Sequence, residues 1–159
     1  MKYKTLVENW DKSRRDWFDF QDRMSIVAGH IYFGLKKNFE IEDEEKFKLL
    51  PAKIEDADEI KKTRWTSIGA IELIEGGWVS FAILITLEKS ENIFPKGKYK
   101  IVIYFKDTTG GYLIKITESG PEVKISEEIN SVDIAKVEES IDTLLINHIN
   151  NSLENWKRG

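Results

Sequence analysis

Gly76-Gly77-Trp78-Val79-Ser80-Phe81-Ala82-Ile83-Leu84-Ile85-Thr86-Leu87 is the stretch that decides the fold. From Val79 onward side chains alternate between two faces. Val79, Phe81, Ile83, Ile85 and Leu87 make one face, and Ser80, Ala82, Leu84 and Thr86 make the other. Neither face carries a charge, so this is a central strand covered at least partly on both sides. Gly76-Gly77 supplies the positive φ angles of a tight turn. The spacing therefore predicts a hairpin of Trp65–Glu75 with Trp78–Leu87.

Working toward the C-terminus, a loop is expected over Ser90–Lys98. Tyr99, Ile101, Ile103 and Phe105 then alternate with Lys100, Val102, Tyr104 and Lys106. Thr108-Thr109-Gly110-Gly111 turns the chain into a strand over Tyr112–Thr117. Ser119-Gly120-Pro121 turns it again, into a short edge strand over Glu122–Ser126. Consecutive strands joined by short turns pair antiparallel. A last helix is expected from a Ser131 N-cap, with Asp133 in its first turn. Its apolar face is Ile134, Val137, Ile141, Leu144, Leu145, Ile149, Leu153 and Trp156, and Lys157 and Arg158 suit its C-terminal end.

Working toward the N-terminus, residues 52–62 read as a surface connection, and Lys46–Leu50 as a short helix stopped by Pro51. The first segment, about residues 3–37, is a long helix. Tyr3, Trp10, Trp17, Met24 and Ile31 recur every seven residues, with Leu6, Phe20 and Val27 three positions after members of that series. That spacing is one apolar stripe on a helix. Asp11, Arg15, Asp19 and Arg23 lie four apart on the charged face, where each pair adds about 0.2–0.5 kcal/mol. The half from Met24 to Leu35 is apolar nearly all round and needs cover on every side. Gly29 and Gly34 mark where this helix loosens, ends or meets another element closely. The fold class is thus α+β: one domain over residues 1–159, with a five-stranded antiparallel meander over about 64–126. The N-terminal helix and the helix over about 131–157 pack on one face of it.

The 159 residues are 41% apolar and 33% charged, a balance that supports a core within a solvated surface. Absence of Cys excludes disulfides, thiolate zinc sites and cysteine nucleophiles. Met1-Lys2-Tyr3-Lys4 runs straight into an amphipathic pattern, so the expected location is cytoplasmic. No apolar run approaches the roughly 20 residues that span a bilayer. A formal net charge of −4 disfavours nucleic acid as a partner.

Asp107 with Glu122-x-Lys124 is the one constellation resembling the PD-(D/E)xK nucleases, in which an Asp and an ExK pair hold Mg²⁺. Here no Pro precedes Asp107, and alternation with Val123 and Ile125 also explains Glu122 and Lys124 as the solvent face of an edge strand. His30 and His148 lie one on each terminal helix, without the spacing of a metal pair on one helix. No phosphate-binding glycine motif and no nucleophile elbow is present, so no cofactor, metal or catalytic residue is assigned. Lys61–Trp65 is a small basic–aromatic cluster, and Glu40–Glu45 an acidic run without the calcium-loop pattern.

The remaining signal is aromatic. Trp10 and Trp17 lie among charges, while Phe18, Ile26 and Phe33 share a second face of the same helix. These five are the expected contacts of a protein partner or homodimer. The expectation is a non-enzymatic binding module or inhibitor. In gross features (small, acidic, Cys-free, helices flanking a sheet) the chain is similar to secretion chaperones, immunity proteins and anti-defence proteins. The alternative is a small-ligand or nucleotide binder with a pocket between sheet and helices, lined by Trp65, Trp78 and Tyr104.

Overall fold

The computed structural model describes residues 2–88 and 97–158, with side chains as far as Asn151. The chain forms helix α1 (Tyr3–Asn38), strand β1 (Phe47–Leu50), helices α2 (Ala57–Lys62) and α3 (Ser67–Ala70), and strand β2 (Glu72–Leu73). Strands β3 (Val79–Leu87), β4 (Gly97–Thr108), β5 (Gly111–Lys115) and β6 (Val123–Ser126) follow, then helix α4 (Ser131–Arg158). The strands make one antiparallel sheet in the order β1-β3-β4-β5-β6, with β2 also pairing β3. The α+β class and the meander of β3 to β6 are as the alternation implies, with β3 central and β6 at an edge.

Two local expectations are corrected. Lys46–Leu50 is not a helix: Phe47 to Leu50 form β1, opposite Ile85 to Ala82 of β3. A four-residue apolar run has no periodicity of its own, and the open edge of β3 supplies its hydrogen-bond partners. The expected strand over Trp65–Glu75 shrinks to Glu72–Leu73. Ser67-Ile68-Gly69-Ala70 instead winds into α3, which buries Ala70 beneath α1. The Gly76-Gly77 turn is present, with φ of 79° and 81°. The Ile74 N–H donates to the Trp78 carbonyl across it. The loop expected over Ser90–Lys98 falls mostly outside the described residues, although Gly97 and Lys98 already belong to β4. The connection over 52–62 contains α2, which buries no residue.

One face of the sheet is covered by both long helices. Val79, Phe81, Ile83, Ile101, Ile103, Phe105 and Ile114 pack there against Met24, Val27, Ala28, Ile31 and Leu35 of α1. Ile134, Val137, Ile141 and Leu145 of α4 complete that core. The helix-facing positions expected on α4 are therefore right as far as Leu145. Ile149 is exposed, and the side chains of Leu153, Trp156, Lys157 and Arg158 lie outside the described residues. Asn130, not Ser131, caps α4. The Asn130 side chain accepts from the Asp133 N–H at 3.0 Å, and the Asp133 carboxylate accepts from the Asn130 N–H at 3.1 Å. This is a reciprocal capping pair.

The helices run in the same direction. Arg23 of α1 reaches Asp107 at the end of β4, and Phe39 packs on Phe47, which pairs through Ile85 with Tyr99 at the start of β4. Asp133 lies beside Ser126 at the first end, and His148 beside Tyr99 at the second. Gly34 sits against Ile134, and a Cβ there would come within 2.8 Å of two Ile134 carbons. Gly29 meets Ser67 of α3 in the same way. Neither glycine ends the helix.

α1 ends in a Schellman motif. The Glu40 N–H donates to the Lys37 carbonyl, and the Ile41 N–H to the Lys36 carbonyl. Glu40 is left at φ 56°, where glycine is the unstrained choice. Glu40→Gly is therefore expected to raise stability by about 0.5–1 kcal/mol in urea denaturation.

Candidate interaction site

α1 is longer than the sheet it covers. Met24 is its first buried residue, and from Tyr3 to Phe18 every large apolar side chain is exposed. At about 1.5 Å per residue this free arm extends roughly 30 Å beyond the Asp107 end of the sheet. Tyr3 is 80% exposed, Leu6 52%, Trp10 61%, Trp17 54% and Phe18 50%. The same stripe that packs the core from Met24 onward thus continues into solvent.

The arm has its own surface structure. The Arg14 guanidinium lies 5.1 Å from the Trp10 ring and 5.7 Å from the Phe18 ring. The Trp17 and Phe20 rings stack at 6.2 Å. Ser13 leaves a notch between Trp10 and Trp17, bordered by Arg14 and Asp16. Asp11 pairs with Arg15 at 3.2 Å, one of the four-apart pairs the sequence implies. Where the arm leaves the body, Arg23 grips Asp107 with two contacts of 2.7 and 3.3 Å. Both groups are about half exposed, so that pair adds at most about 1 kcal/mol.

All five expected partner-binding residues are exposed, but they divide in two. Trp10, Trp17 and Phe18 are on the arm. Ile26 and Phe33 are on the body, each 61% exposed, around a shallow groove shared with His30 and Ser67. Ile68 of α3, also exposed, was not singled out. Its residue type alone carried no signal, because its exposure follows from the folding of α3 onto α1. Tyr3 and Leu6 were legible as stripe members, and their exposure was not.

The expected ligand residues are also separated. Trp78 and Tyr104 lie on the sheet face away from the helices, because Tyr104 alternates with the core residues Ile103 and Phe105. Lys115 Nζ sits 4.3 Å from the Trp78 ring centroid and 5.5 Å from that of Tyr104, and Lys106 Nζ 5.0 Å from that of Trp78. Burial, with Glu118 and Glu72 nearby, pushes the Tyr104 hydroxyl above its ordinary range. Trp65 is elsewhere, in a cleft of about 290 Å³ with Tyr32, Phe33, Lys48 and Leu49. In that cleft Arg64 pairs with Glu44 at 2.6 Å. The basic cluster and the acidic run of the sequence therefore neutralise each other in part.

Asp107 and Lys124 do not share a site. Asp107, Tyr112 and Ile125 form one cross-strand row, and Lys106, Leu113 and Lys124 form the next, on the opposite face. Glu122 precedes β6, two positions from Lys124. His30 and His148 also remain apart, the first in the groove beside Ser67, the second against Tyr99. No helix among the described residues is long and apolar enough to cross a membrane. No protein-family model, curated protein or solved structure matches the chain.

Tyr32 ties the cleft to the core. Its hydroxyl donates to the Phe47 carbonyl, and burial, reinforced by Glu44 and opposed by Arg64, pushes it up to about 12. The unfolded phenol loses its proton near 10, before the folded one. The stabilising difference is complete below about pH 10 and is lost as pH rises toward 12. Urea denaturation of Tyr32→Phe across that window should show a shallower alkaline loss than wild type. Near neutral pH the variant should be less stable by about 1 kcal/mol.

Proposed function

We propose that the protein is a non-enzymatic binding module of the inhibitor or chaperone type, working in the cytoplasm through the free arm of α1. The observation that carries this reading is the projection of Trp10, Trp17 and Phe18, half or more exposed, on a helix that leaves the body. Large aromatic side chains in water are unfavourable unless a partner removes them from it. Trp and Tyr are also the side chains most often found at interaction hot spots. The arm is already helical and continues a helix anchored in the core, so docking need not pay for forming it.

The test is capture from the source cell with the full chain as bait, comparing wild type with Trp10→Glu/Trp17→Glu. Both positions are exposed, so the variant should retain its thermal unfolding midpoint to within a few degrees. Proteins held by wild type and lost from the variant support the arm. A set of bound proteins identical for both would count against it.

A second reading is favoured by Trp78 and Tyr104 beside Lys106 and Lys115 on the sheet face away from the helices. An aromatic ring beside ammonium groups suits a small anionic ligand with a flat ring, such as a nucleotide. Titration with ATP should then quench tryptophan emission saturably, and Trp78→Ala should remove the effect. Linear, non-saturating quenching would sink this reading.

A further inference from the structure

We infer that the occupant of the arm is a second copy of this chain, paired antiparallel about a two-fold axis between Asp11 and Lys12; this rests on reading the arm as a docking helix. The stripe repeats every seven residues, Tyr3, Trp10 and Trp17 with Leu6, Ser13 and Phe20 three positions after each. That repeat is the seam by which one helix packs along another. The partner surface is therefore itself a helix with alternating large and small side chains.

The arm supplies that pattern to itself. With two copies antiparallel about this axis, Trp10 of one faces Ser13 of the other, Leu6 faces Trp17, and Tyr3 meets the part of Phe20 that its own core leaves uncovered. The open notch at Ser13 is bordered by Trp10, Arg14, Asp16 and Trp17. Trp10 of the second copy is the knob that meets it. A parallel, in-register pair would stack Trp10 on Trp10 and Trp17 on Trp17. It would also leave Ser13 facing Ser13, overpacked in two layers and empty in one.

Charge and space agree. Between Tyr3 and Arg23 the arm carries Lys4, Lys12, Arg14, Arg15 and Arg23 against Glu8, Asp11, Asp16, Asp19 and Asp22, so two arms do not repel through net charge. Antiparallel helix dipoles attract. The overlap ends at Phe20, short of Met24 where the buried body begins, so the two bodies lie at opposite ends of the pair. Aromatic side chains bury about 150–250 Å² each. At the exposures of Tyr3, Leu6, Val7, Trp10 and Trp17, covering the stripe removes roughly 600 Å² per copy. The total of about 1,200 Å² is at the lower bound for a specific interface.

The chain has no Cys, so introduced thiols report pairing without background. Size-exclusion chromatography with light scattering should give twice the protomer mass for wild type. Trp10→Glu should weaken association at least ~30-fold, as loss of an interface hot spot does. Mild oxidation of Leu6→Cys/Trp17→Cys should give a covalent dimer that reductant separates, while Leu6→Cys alone should not. Within one helix those two positions are about 16 Å apart, too far for an internal disulfide. Efficient cross-linking of Leu6→Cys alone would mean parallel pairing and overturn the proposed geometry. A wild-type monomer at the highest soluble concentration overturns the second copy but leaves the arm reading to the capture experiment. A dimer indifferent to Trp10→Glu, with no other protein captured through the arm, overturns both.

Discussion

Burial of α1 from Met24 to Leu35 is the constraint on which the rest of the molecule depends. That segment is apolar nearly all round, and the structure covers it on several sides. The sheet lies beneath it, α4 meets it through Gly34 and Ile134, and α3 meets it through Gly29 and Ser67. Two missing Cβ atoms let neighbours approach from different directions. The helix is thereby held in one orientation, and the Schellman motif after Asn38 ends it where β1 must begin.

The arm follows from that anchoring. A solitary helix of some 20 residues is marginal in water because its first turn is costly to form. Here the buried half forms that nucleus, and the arm only adds turns to it. Pairs such as Asp11 with Arg15 and the contacts of Arg14 with Trp10 and Phe18 each contribute about 0.2–1 kcal/mol. They are sufficient to extend an existing helix. None of these contacts takes the exposed rings of Trp10, Trp17 and Phe18 out of water.

The two sheet faces have different chemistry for a related reason. With both helices on one face, alternation sends Ile101, Ile103 and Phe105 inward and Lys100, Tyr104 and Lys106 outward. Lysine ammonium groups then lie near the rings of Trp78 and Tyr104. The same alternation sets Asp107 on the helix side and Lys124 on the other, which separates a pair that looked suggestive as letters in a row.

Long periodic segments were legible from residue spacing. The seven-residue recurrence in α1, the two-residue alternation in β3 and β4, and the stripe of α4 are local patterns, and each marks its element before any long-range contact is known. Short segments were not. Phe47–Leu50 became a strand because β3 had an open edge, and Ser67–Ala70 became a helix because α1 offered a glycine to pack on. For the site, spacing identified the aromatic stripe of α1 and its residues but was silent on which part is covered. Tyr3, Trp10 and Trp17 obey the same period as Met24 and Ile31, and no property of the five letters distinguishes them. The division falls at Met24 because the sheet ends near Asp107, and the extent of the sheet is set by pairings among strands far from α1 in the chain.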